Sequence, residues 1–147
     1  MHPRGIIVEG DKKLRTSFAL CLEERDFEVV ACPAPLFCQL IRDPKCLCPH
    51  AHPCADVLLY DLNVVGRTGL DFVRKQYKRG CKVLAYNMAV LSEAFTIPER
   101  ILAIEIGCEL FEKPLNLTQF GQWLEVCEKR LEPDRILTPI ADLFREM

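Results

Sequence analysis

The sequence predicts a doubly wound α/β fold: a five-stranded parallel sheet with helices on both faces. Two patterns predict it. Short apolar runs alternate with segments of helical periodicity, which implies parallel strands joined by right-handed crossovers. The run Val57–Tyr60, apolar throughout between Asp56 and Asp61, suits a strand covered on both faces.

In chain order, Gly5 to Val8 is apolar and ends at Glu9 and Asp11, and Leu14, Phe18, Cys21 and Leu22 then recur at helical spacing. This predicts strand, acidic turn, helix. Phe27–Ala31 predicts the second strand and Pro35–Ile41 a short second helix, followed by a breaker-rich stretch from Asp43 to Pro53. After the third strand at Val57–Tyr60, Leu70–Tyr77 continues as a helix. Val83–Tyr86 predicts the fourth strand. Ile97–Ile106 predicts the fourth helix, with Thr96 as N-cap and Pro98 in the first turn. Glu109–Phe111 predicts the fifth strand. Leu117, Phe120, Trp123, Leu124, Cys127 and Leu131 form one helical stripe, and Asn116 with Gln119 resembles a capping box. Residues 1–133 are therefore expected to form one domain, with a Cys/His/Pro-rich insertion at about 43–54. Residues 134–147 form an extension that packs on the domain or reaches a partner, too short for an output domain.

The chain has 147 residues, is 50% hydrophobic and 27% charged, and carries a formal net charge of -2. That composition belongs to an ordinary globular protein, and it leaves no basic excess for nucleic acid. No apolar run reaches the roughly 20 residues of a membrane helix, and the start is too short and too soon acidic for a signal peptide. A cytoplasmic protein is expected. Nine cysteines then read as free thiols in a reducing cell, those in apolar segments acting as small hydrophobes.

In an open parallel sheet the loops after the strands converge on one crevice. Here they carry Glu9 and Asp11, Asp61 and Asn63, Asn87, and Lys113 with Pro114. Carboxylates meeting a lysine and an amide can hold a hard divalent cation and activate one carboxylate toward phosphorus. No Gly-rich phosphate loop follows the first strand, which argues against a nucleotide-binding enzyme.

The stretches VEGDKKLR, LLYDLNVVGRTGLDFVRK and FEKPLNLTQF resemble the three signature stretches of response-regulator receiver domains, across about Arg4 to Leu131. The resemblance implies the flavodoxin-like, CheY-like fold and Mg²⁺-dependent phosphoryl transfer to Asp61 from a histidine kinase or phosphotransfer protein. Metal ligands would come from Glu9, Asp11, Asp61 and the carbonyl of Asn63. Lys113, before a cis Pro114, would pair with phosphoryl oxygens, and Asn87 would take the place of the fourth strand's hydroxyl residue. Beyond its own phosphorylation no enzymatic turnover is implied. Output would pass to a downstream protein, or through a homodimer, by the face of the fourth helix, fifth strand and fifth helix.

The sequence departs from the family pattern at several positions. Gly10 stands where a directly ligating acid is usual, Leu110 where an aromatic switch residue is usual, and Val65 where a proline is usual. Losing a ligand predicts a weakened Mg²⁺ site and slower phosphorylation. The alternative is a pseudo-receiver that binds proteins without being phosphorylated, with Asp61 and Lys113 as a structural ion pair.

In PKCLCPHAHPC, Cys46, Cys48, His50, His52 and Cys54 alternate strictly, so an extended segment would project all five to one side. Thiolates and imidazoles suit a metal or redox sensor. Strict alternation does not match the spacing of zinc motifs, and a Pro-rich insertion is the preferred reading.

Overall fold

Along the central strands successive side chains fall alternately into two separate apolar layers, so the sheet is covered on both faces. The computed structural model describes residues 2–34, 38, 47–63 and 69–144. Its strands are β1 (Arg4–Val8), β2 (Glu28–Cys32), β3 (Val57–Asp61), β4 (Met88–Ser92) and β5 (Glu109–Glu112). They form one parallel sheet in the order β2-β1-β3-β4-β5. The helices are α1 (Lys12–Glu23), α2 (Gly69–Lys78), α3 (Ile97–Ile106), α4 (Leu117–Lys129) and a short α5 (Ile140–Leu143).

Ile7, Val57, Leu59, Ala89 and Leu91 pack with Phe18 and Leu22 of α1 and with Phe120, Trp123 and Leu124 of α4. Ile6, Val8, Leu58, Tyr60, Met88 and Val90 pack on the other face with Leu70 and Val73 of α2, Ala103 of α3 and Leu143 of α5. Gly5 lets α1 approach, since a Cβ there would lie 2.8 Å from Leu22 Cδ1. Helix α3 begins with a full capping box between Thr96 and Glu99 and ends on Gly107 in the left-handed region.

The first, third and fifth strands and the fourth expected helix lie where the sequence puts them, within a residue at either end. The helix expected over 35–41 falls outside the described residues apart from Cys38. The fourth strand is a correction. It runs from Met88 to Ser92, and 85–87 form a 3₁₀ turn ahead of it, so the expected strand at 83–86 is not one. The apolar run continues through Asn87, whose amide is buried: Nδ2 donates to the carbonyls of Asp56 (3.1 Å) and Cys127 (3.2 Å).

Residues 134–144 return across the amino ends of the strands. Arg135 makes a two-pronged pair with Asp56, and Thr138 N donates to Pro53 O at 2.9 Å. Arg4 joins the same knot, with Nη1 donating to Thr138 O at 2.6 Å. No helix of the described residues is long and apolar enough to cross a membrane.

Candidate functional site

Register determines which residues meet at the carboxyl ends of the strands. Val8 pairs with Tyr60, which sets Glu9 beside Asp61. Asp61 pairs with Leu91, and Ser92 pairs with Glu112, the residue before Lys113. Four neighbouring strands thus deliver Glu9, Asp61, Ser92 and Lys113 to one crevice.

Lys113 Nζ stands 3.1 Å from Glu9 Oε2 and 3.2 Å from Asp61 Oδ2. Both acids are almost fully buried, at 1% and 6% exposure. Asp61 Oδ1 accepts the N–H of Asn63 at 3.0 Å, and Glu9 Oε1 accepts that of Asp11 at 3.2 Å. Glu9 Oε2 has no aligned hydrogen bond and is held to the lysine by charge. Burial pushes the Glu9 carboxyl above the ordinary value, and the neighbouring Asp61 carboxylate adds to this. Desolvation works to lower the Lys113 ammonium, but its contacts with both carboxylates outweigh that and raise it. The peptide joining Lys113 to Pro114 is cis.

The remaining expected residues are placed differently. Asp11 is exposed and serves as the N-cap of α1, Oδ1 accepting from Leu14 N at 3.0 Å, so its carboxylate is engaged with the helix. Asn63 is exposed, one residue beyond Asp61's neighbour Leu62. Asn87 is a correction: it precedes β4, at the opposite end of the sheet from Asp61, and acts as a buried bracket between strand and helix backbones. The residue at the carboxyl end of the fourth strand is Ser92, which the sequence reading missed. Ser92 is 7% exposed and its Oγ donates to Ala94 O at 2.9 Å. The signal was available: MAVLS is an unbroken apolar run ending in a polar residue, like the runs before Glu9 and Asp61. Arg15 of α1 closes over the turn, with Nη1 donating to the carbonyls of Glu9 (2.9 Å) and Gly10 (3.4 Å).

The donor set suits a hard cation in kind. Mg²⁺ accepts oxygen ligands and is commonly held by one or two carboxylates plus water, and Glu9 Oε2 is a buried carboxylate oxygen with no aligned donor. In number the set is small: among the described residues no three His, Cys, Asp or Glu are placed to hold a metal ion. Gly10 contributes no side chain. Glu9 and Asp61, with the Asn63 carbonyl, are the residues that would hold it.

No family model and no curated protein matches the chain by sequence. Solved structures do match. A response regulator receiver protein from Pseudoalteromonas atlantica superposes with a TM-score of 0.67 at 15% identity, over 86% of this chain and 98% of that one. The non-phosphorylated HemR receiver domain from Leptospira biflexa matches with a TM-score of 0.65 at 23% identity, over 89% and 98%. A putative pilus assembly protein (cpaE) from Burkholderia thailandensis gives 0.65 at 12%, over 88% and 100%. At these identities the likeness establishes the fold.

Proposed function

We propose that this chain, which has the CheY-like receiver fold, works as a receiver in two-component signalling, with Asp61 as phosphoacceptor and output through protein contacts. The observation that carries the reading is the convergence of Glu9, Asp61 and Lys113 at the carboxyl ends of the strands, with Lys113 Nζ within 3.2 Å of both acids. Asp61 is the nucleophile because its Oδ1 is oriented by the Asn63 N–H while Oδ2 faces the lysine. Lys113 offsets charge on the phosphoryl oxygens as they arrive. Ser92 stands at the same crevice, and its hydroxyl can exchange the Ala94 carbonyl for a phosphoryl oxygen, coupling the site to the loop before α3. A bound Mg²⁺ would supply further neutralisation of phosphoryl charge.

The donor is a histidine kinase or phosphotransfer protein in this reading, and the setting is the cytoplasm. The output face is α3, β5 and α4, where Ile97, Ile101 and Ile104 recur at i, i+4 and i+7 and are all exposed. It would receive a downstream protein or a second copy. Treatment with acetyl phosphate and Mg²⁺, followed by intact mass, tests the reading: the parent should gain one phosphoryl group and Asp61→Asn none.

A second reading is favoured by a specific observation. Lys113 already bridges both acids and Gly10 supplies no ligand, which is the arrangement of a self-neutralised pseudo-receiver that binds partners constitutively. An unmodified parent in the same experiment would select it.

A further inference from the structure

Away from that crevice, beneath the carboxyl end of α2, lies a cavity of about 20 Å³. It has room for one water-sized sphere. Its wall carries Cys38, Cys48, Cys54 and Cys81 together with His50 and His52. Four alternate residues of the insertion, 48, 50, 52 and 54, thus face one hole. The fold adds two thiols from elsewhere in the chain. Cys48 is fixed against the end of α2, its N–H donating to Arg79 O at 2.7 Å.

Two features point to a ligand. Gln76, 2% exposed, lines the same cavity; its Nε2 donates to Cys38 Sγ at 3.5 Å, while its Oε1 is buried with no hydrogen-bond partner. That acceptor leaves the wall unsatisfied unless something occupies the cavity. Cys38, Cys54 and Cys81 also pack against the same apolar layer. Burial first, then Cys38, Cys48 and Cys81, push the Cys54 thiol up to about 12, and burial, then Cys38 and Cys48, raise Cys81 to about 11.

The chemistry of the donors selects the ion. Thiolates favour soft metals, whereas zinc requires four donors in a tetrahedron. No three of the described donors converge closely enough for that. A monovalent soft ion is satisfied by two thiolates. We propose that this cavity binds one thiophilic cation of the Cu(I) type through a pair of thiolates, Cys54 being one and its partner drawn from Cys38, Cys48 and Cys81. Binding replaces two S–H bonds by two S–Cu bonds and releases two protons, with no electron transferred. The complex carries one negative charge, which Lys82 at the rim offsets. Affinity should therefore rise roughly a hundredfold per pH unit near neutrality, the slope of a two-proton exchange.

The test is anaerobic Cu(I) titration of the full chain against a chromophoric Cu(I) chelator, with Cys21→Ser as control because Cys21 packs in the other apolar layer. One equivalent should be withheld from the chelator by the parent and the control. Cys54→Ser should lose it, and one of Cys38→Ser, Cys48→Ser and Cys81→Ser should weaken it about tenfold or more, with melting curves confirming that the variants fold. If Cys54→Ser does not fold, Cys54→Ala replaces it. Retention of copper by the folded Cys54 variant, no retention by the parent, a flat pH dependence, or preferential uptake of one zinc would each overturn the proposal.

Discussion

At the residue scale the crevice is an exercise in charge balance. Two buried carboxylates share one ammonium, so removing the ammonium leaves the acids uncompensated. Lys113→Met should lose about 3–5 kcal/mol at pH 7 in chemical denaturation, the usual cost of stripping one partner from a buried pair. The pH dependence has a definite sign. Glu9 has a raised carboxyl in the folded state, so its contribution is fully present below its unfolded value of 4.5 and is lost as pH rises through the folded value. The Lys113→Met deficit should therefore shrink as pH falls from 7 toward 5. In the parent, the raised Lys113 contributes below 10.5 and that contribution is lost as pH rises through its higher folded value. Gly10 offers the complementary test. Gly10→Asp crowds a third acid onto the turn, so without Mg²⁺ it should melt below the parent; adding Mg²⁺ should raise its Tm more than the parent's. Equal Mg²⁺ responses would show that Glu9 and Asp61 already supply what the cation needs.

At the element scale, the legibility of the sequence differed sharply between strands. Glu9, Asp61 and Lys113 could be found because each follows a short apolar run and register does the rest. The fourth strand could not be placed by the same rule. Between Val83 and Leu91 the only strongly polar residue is Asn87, and locally it looks like a strand end. Its amide is satisfied by backbone carbonyls 31 and 40 residues away in the chain, contacts that no local pattern displays. This misplacement also hid Ser92. The bracket makes its own prediction: Asn87→Ala should strand two buried carbonyls and cost about 2–3 kcal/mol in urea denaturation. The proposed phosphorylation at Asp61 should be unaffected, because Asn87 lies at the other end of the sheet. Helix α3 was placed correctly from Thr96 and Pro98, whose capping signals are local.

At the scale of the whole molecule, residues 134–144 complete the fold from below. Sequence alone left open whether they pack or reach outward, since neither Arg135 nor Thr138 announces its partner. Asp56, which is 4% exposed, receives both prongs of Arg135 as well as the N–H of Arg4. Arg135→Ala should cost about 3 kcal/mol by leaving that carboxylate short of its cation, measurable as a lower urea midpoint.

The Arg4–Thr138 hydrogen bond spans 134 residues and the Asp56–Arg135 pair spans 79. Such contacts close very long loops, and they have nothing to close onto until β1 and β3 are side by side. In time, therefore, this knot should be tied last and undone first. The Arg135→Ala deficit should appear almost wholly as faster unfolding, with the refolding rate unchanged, a φ-value near zero. Under strong denaturant pull the lower end of the sheet would be the door through which the protein comes apart.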